Sequence, residues 1–233
     1  MFGRAPSERA YFAPFIVFLG LLMLGGLVRS LFDGHAHWIF ASPQYWIHPL
    51  QIIICGAVLA RYWQHYEWRP PNRVFFTVAI GVVAFVLWVS PLAYLVERFF
   101  PKAARLPGFD PAFFGAEGWA WFLNVGCRFV RLVVIVPLVE EIFWRGFLLR
   151  WLIRDEFMTV PFGTYQRTSF LVVTLLFMVE HAPADYPAAL LTGALFNIVA
   201  IHTRSLSSCV LVHAVTNLLL GLYILRTGHT GFW

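Results

Sequence analysis

Glu140-Glu141-Ile142-Phe143-Trp144-Arg145 is the stretch that decides how this chain folds. Two adjacent carboxylates and a guanidinium stand inside an apolar segment running from about Trp119 to Leu149. A charged side chain at a bilayer's centre costs about 2.5–3.5 kcal/mol even on lenient insertion scales. Three such groups so close together must face a protein interior or a wet cavity, where they pair or do chemistry. On a helix, Glu141 and Arg145 are four residues apart, share a face and are expected to pair. Glu140 points about 100° away from that pair. A desolvated carboxylate outside such a pair suits general acid or base work. The plainer alternative is that both acids serve Arg145, or that one serves Arg128 or Arg131 a few turns earlier.

Composition extends this reading to the whole chain. Of its 233 residues 60% are hydrophobic and 12% charged, with a mean hydropathy of +0.71. A soluble domain carries about twice that charged fraction. The expected fold is all-α, a polytopic transmembrane helical bundle of about 7–8 helices forming a single integral membrane domain over residues 1–233. The bilayer is therefore an expected partner. The net charge of +5 is scattered through short loops without interleaved aromatics, so no nucleic acid is expected. Cys55, Cys127 and Cys209 lie apart in apolar stretches with no CxxC pair, which indicates neither disulfides nor a zinc knot. The apolar run from Tyr11 to Val28 is too long for a signal-peptide core and has no clear cleavage site, so it is expected to be the first span.

Apolar segments suited to crossing a bilayer fall at Tyr11–Phe32, Trp46–Trp63, Val74–Leu95, Trp119–Leu149, Thr168–Ala182, Pro187–His202 and Leu206–Leu225. The fourth is longer than a straight span needs. Pro137 removes a backbone donor just before the glutamates, so a kink or break is expected there. With the N-terminus in the cytoplasm, Arg4, Arg9, Arg61, Arg69, Arg73, Arg150, Arg154, Arg167 and Arg204 all fall in inside segments. Arg29 and Arg226 are mild exceptions. The loop from Glu97 to Gly118, assigned outside, carries Arg98, Lys102 and Arg105 among Phe99, Phe100, Leu106, Phe109, Phe113 and Phe114, which suggests an interfacial amphipathic segment.

Two further polar pairs interrupt apolar spans. Phe177 and His181 are four residues apart, as are His213 and Asn217, so each pair shares a helix face. Imidazole beside carboxamide suits an oxyanion hole, although it equally suits a helix–helix hydrogen bond. At about 1.5 Å rise per residue, Glu140, His181, His213 and Asn217 all lie about 13–20 Å from the same face, so they can share one layer. Other nucleophile schemes fail. Ser90, Ser169 and Ser208 have no GxSxG-like context, and Asp33, Asp110, Asp155 and Asp185 all fall in loops. Glu140, His181 and His213 would supply a known zinc ligand set, yet no HExxH is present. The reading favours no cofactor and keeps zinc open.

In order, Glu140-Glu141-Ile142-Phe143-Trp144-Arg145, Phe177…His181 and His213…Asn217 resemble the EExxxR, FxxxH and HxxxN pattern of the CPBP family, the membrane-bound type II CAAX prenyl endopeptidases and their bacterial relatives. The match covers about Val130 to Leu225, which makes residues 119–225 the expected catalytic core helices and residues 1–118 the N-terminal spans. The resemblance implies an intramembrane endopeptidase of glutamic type in which a glutamate and a histidine activate water. Carried over, Glu140 is the base, His181 orients or deprotonates the water, and His213 and Asn217 stabilise the oxyanion. Glu141 and Arg145 hold the site's geometry, with Phe177 as the supporting ring. Glu180 and Asn197 are further candidates near the site. The implied partner is a membrane-anchored or prenylated CAAX-type protein or peptide. Short loops and the lack of tails favour a prokaryotic member in the cell inner membrane. Two alternatives stand beside this: a proton-linked transporter or channel, and a catalytically silent relative acting in immunity or assembly. A transporter would show repeats or paired broken helices, and neither is found.

Overall fold

The computed structural model describes residues 6–90, 98–99 and 108–232. Among them the chain is helical and has no strands. The helices are α1 (Pro6–Leu31), α2 (Trp38–Ala41), α3 (Gln44–Tyr62), α4 (Val74–Val89), α5 (Gly118–Trp151), α6 (Arg167–Val179), α7 (Tyr186–Thr203) and α8 (Leu206–Thr227). The all-α expectation holds, and every expected span coincides with a helix. The stretch from Pro91 to Leu95 of the third span, with Phe100 and Leu106 of the expected amphipathic segment, lies outside the described residues. Ser7–Leu31, Gly118–Trp151, Pro183–Thr203 and Leu206–Thr227 are long and apolar enough to cross a membrane; α4 and α6 are apolar but shorter. This is an integral membrane protein.

Helix ends follow local chemistry. Pro6 opens α1, where its missing N–H costs nothing, Glu8 sits in the first turn and Arg29 in the last, each favourable to the helix dipole. Gln166 and Ser205 cap α6 and α8 by accepting from Ser169 N and Ser208 N. Within α5 the expected disturbance at Pro137 is present as a widened backbone. Pro137 offers no N–H to the Val133 carbonyl one turn back. Just before it the helix loosens to a π turn over Arg131–Ile135, in which Val136 N–H donates to Arg131 O. A second π segment, Ile142–Leu148, follows the glutamates at once. Such insertions re-aim the side chains around them, and they concentrate at functional sites.

The chain packs as two compact units, Met1–Tyr66 with Phe109–Glu140 and Glu67–Gly108 with Glu141–Trp233. In the first, α1 lies on α3, and α3 on the first part of α5. Gln51 is fully buried; its Nε2 donates to Phe18 O at 3.1 Å and its Oε1 accepts from Arg131 Nε at 2.6 Å. Residues 108–117 form turns rather than a helix. They fold back on α3, with Phe113 stacked on Tyr45 at 3.9 Å and the Tyr45 hydroxyl donating to Asp110 O and accepting from Asp110 N.

In the second unit, α8 packs against α4, and α7 against α4, α6 and α8. The loop before α4 is clamped to the α7–α8 turn. Asn72 Nδ2 donates to Thr203 O at 2.8 Å, and Ser205 Oγ donates to Arg69 O at 3.0 Å. Arg150, read above as an inside-loop charge, is instead a buried clip, 1% exposed. Its Nε donates to Gly146 O at 2.7 Å and its Nη1 to Glu67 Oε1 at 2.8 Å, between the rings of Phe157 and Phe162. Periodicity could not separate it from a snorkelling arginine, because both end an apolar segment.

Gly81 sets the closeness of α4 and α8. A Cβ there would sit 2.9 Å from Val215 Cγ1 and 3.0 Å from the Val212 carbonyl oxygen. Membrane helices approach so closely only through small residues. Gly81→Val is therefore expected to destabilise the protein by about 1–3 kcal/mol through overpacking. Gly20→Val, where nothing lies within 4 Å, should leave the melting temperature unchanged. Equal melting curves for the two variants in detergent would refute this packing account.

Candidate active site

Arg145 organises the residues that sequence patterning singled out. It is fully buried on α5 and reaches three elements at once. Nη1 donates to Glu141 Oε1 at 3.0 Å one turn back, Nε to Asn197 Oδ1 on α7 at 3.1 Å, and Nη2 to the Gly193 carbonyl at 3.2 Å. The guanidinium lies over the rings of Phe177 (4.9 Å) and Phe196 (5.4 Å). The Glu141–Arg145 pair is thus present, held in a planar fork that lysine could not reproduce. A buried ion pair recovers its desolvation cost only when its remaining donors are satisfied, and these contacts do that.

Glu141 Oε1 takes a second bond, 2.8 Å from His213 Nδ1 on α8. A carboxylate only accepts here, so Nδ1 carries the proton and Nε2 is the nitrogen left to face outward. His213 packs beside Phe196 and Phe177, with ring centroids 5.1 and 6.5 Å away. One carboxylate oxygen therefore joins the first sequence motif to the third. Asn217 stands one turn beyond His213 on α8 and is half-buried.

His181 sits just past the end of α6, not inside it; the helix closes at Val179. The turn continues far enough for His181 Nδ1 to reach the Phe177 carbonyl at 2.7 Å. A carbonyl cannot donate, so Nδ1 holds the proton and Nε2 carries the lone pair in the neutral ring. Phe177 and Trp88 flank that ring, at 4.8 and 5.4 Å. Phe177 fits because α7 offers Gly193 opposite it, where a Cβ would lie 3.1 Å from Phe177 Cδ1. Glu180, next in line to His181, accepts from Trp144 Nε1 at 3.1 Å and so is tied to the first motif.

Glu140 is buried, 7% exposed, and packs with the first unit, where its charge acts on Arg131. It is one peptide bond from Glu141, on the next position of α5. Asn197 is fully engaged inside the fold. Its Oδ1 accepts from Arg145, and its Nδ2 reaches Thr174 Oγ1 and Phe170 O at 3.1 and 3.3 Å. It positions Arg145. Among the described residues, no group of three His, Cys, Asp or Glu side chains is arranged to hold a metal ion.

Sequence reasoning passed over Trp88, Trp144, Thr174, Gly193 and Phe196. Four are apolar or small residues in apolar helices, with nothing to distinguish them from ordinary packing. Trp144 had one usable signal, its place inside the charged motif: a buried indole N–H needs an acceptor.

No curated protein and no solved structure matches the chain. A family model does: residues 119–219 match the type II CAAX prenyl endopeptidase Rce1-like family. The matched segment begins at the start of α5 and ends within α8, so it contains Glu140, Glu141, Arg145, Phe177, His181, His213 and Asn217. Members of that family are intramembrane endopeptidases acting on protein substrates. Over residues 119–219, the segment that holds all of these side chains, the chain is similar to the type II CAAX prenyl endopeptidase Rce1-like family.

Proposed function

We propose that the protein is a glutamic intramembrane endopeptidase in which Glu140 and His181 activate water and His213 and Asn217 stabilise the oxyanion. The observation that carries this reading is the shared oxygen of Glu141, which accepts from both Arg145 and His213. It fixes the His213 ring with Nδ1 inward. From that pose His213 donates through Nε2 once doubly protonated, and the Glu141 carboxylate stabilises that imidazolium. Asn217, four residues on, adds a donor that never titrates.

His181 presents the opposite polarity. With Nδ1–H engaged by Phe177 O, its Nε2 lone pair accepts a hydrogen bond from water. Glu140 takes the proton as water oxygen bonds to the carbonyl carbon. The carbonyl electron pair moves onto oxygen, facing His213 and Asn217. When the intermediate collapses, the C–N bond breaks and Glu140 returns the proton to the departing amine. Glu141, Arg145 and Asn197 position these groups without touching substrate. This reading routes no step through a metal; were zinc bound, Glu140, His181 and His213 would be its ligands.

The substrate in this reading is a membrane-anchored protein cut near its C-terminus, of prenylated CAAX type or carrying another anchor. The setting is a prokaryotic inner membrane with the N-terminus cytoplasmic, supported by the bias of Arg4, Arg9, Arg69, Arg73 and Arg154 toward one side. The test is cleavage of a farnesylated CAAX peptide and of an unprenylated transmembrane-anchored peptide by purified protein. Wild type should cleave at least one, and His181→Ala should lower kcat by about 100-fold or more. Full activity in His181→Ala would remove the histidine from water activation. If folded wild type cleaved neither, transport or a silent scaffold would become the better reading.

A further inference from the structure

The first unit contains a cavity that the proposed reaction does not use. Its volume is about 250 Å³, and it is walled by the first turns of α3, the loop carrying Phe109 and Phe114, and the first part of α5. Its charged wall is Arg128, 5% exposed, whose guanidinium lies 5.4 Å from the Phe109 ring centroid. Arg128 Nη1 stands 3.2 and 3.3 Å from the two ring nitrogens of His48. A guanidinium only donates, so the nitrogen it bonds must accept and His48 is neutral. The positive charge in the wall therefore belongs to Arg128.

A second cavity of about 160 Å³ adjoins the first through shared Gln44 and His48. It brings Arg29, whose Nη2 donates to Gln44 Oε1 at 2.8 Å. Two guanidinium groups thus line these adjoining cavities, whose other described wall residues, the neutral His48 included, are uncharged. Tyr45 and Asn124 are held to the loop by Asp110 and Pro111, which keeps the walls in place. The remaining walls are apolar. Further into the span, α5 exposes Val130 (44%) and Val134 (46%) on the same stripe as the wall residue Leu123 (65%). In an apolar transmembrane helix, that face meets lipid chains.

An occupant of this site needs an anionic, hydrogen-bond-accepting head and an apolar body running along the lipid-facing side of α5. We propose that the cavity binds the phosphate headgroup of an anionic phospholipid at Arg128, with its acyl chains running inward along Val130 and Val134. Arginine is the residue suited to a phosphate diester in a desolvated pocket, since its fork meets two oxygens at once. None of its wall residues is a proposed peptidase residue, and binding there does not depend on cleavage.

Native mass spectrometry of the purified full-length protein tests this directly, with phosphatidylglycerol, phosphatidylcholine or glycerol 3-phosphate added to the detergent solution. Wild type should retain phosphatidylglycerol about tenfold better than phosphatidylcholine, and Arg128→Gln should erase that preference while Arg128→Lys keeps part of it. Ala120→Trp obstructs the cavity from an exposed wall position and leaves Arg128 intact. It should also lose phosphatidylglycerol, which keeps the test valid if Arg128→Gln fails to fold. Equal retention of the two lipids by wild type, or phosphatidylglycerol retention unchanged in Ala120→Trp, overturns the proposal. Displacement of bound phosphatidylglycerol by equimolar glycerol 3-phosphate overturns it too, in favour of a soluble phosphate ester.

Discussion

Glu140→Gln is expected to lower kcat for peptide cleavage by about 10³-fold per folded molecule. Glutamine keeps the shape of the side chain and removes its ability to accept a proton. General-base catalysis contributes about 10²–10⁴-fold in enzymes, and in the proposed mechanism the same group also returns the proton to the leaving amine. The bonds from Arg145 to Glu141, Asn197 and Gly193 lie at other residues, and kcat is compared at equal concentrations of folded protein. A variant keeping more than about a tenth of wild-type kcat would show that Glu140 is not the base.

Arg145→Met is expected to do the reverse and damage the fold first. The substitution removes the donors to Glu141, Asn197 and Gly193 and leaves a carboxylate in the interior with His213 alone. Removing one partner of a buried ion pair costs about 3–5 kcal/mol, because the remaining charge keeps its desolvation penalty. Melting should fall by on the order of 10 °C for a chain of this size. The double variant Glu141→Gln/Arg145→Met removes both charges and should recover part of that loss. If the double variant were as unstable as the sum of the two single ones, the charge pair would not be what holds α5 to α7 and α8. Differential scanning fluorimetry on the set decides this.

Much of the fold was legible because a membrane span declares itself by length and apolarity. Helix α8, expected over Leu206–Leu225, runs over Leu206–Thr227. The short α2 was not legible, since four residues beginning at Trp38 have no period. Pro137 announced the disturbance in α5, but not its form. A missing donor permits a kink or a π turn, and only the packing around Arg131–Ile135 selects between them. The candidate site was legible where charge was misplaced, as in Glu141 and Arg145. It was silent where positioning comes from backbone: the Gly193 carbonyl that holds Arg145 leaves no trace in a sequence, because any residue has a carbonyl. His181 shows the same limit, with correct spacing to Phe177 but a helix that ends before it.

The central claim is that side chains, not a metal, activate the water. It is tested most directly by cleavage of a membrane-anchored or prenylated peptide by wild type, Glu140→Ala and His181→Ala, each with and without a strong chelator. Wild-type cleavage that persists under chelation and vanishes in both variants is the predicted result. Cleavage that stops on chelation and returns with zinc would contradict it, and would recast Glu140 and His181 as metal ligands.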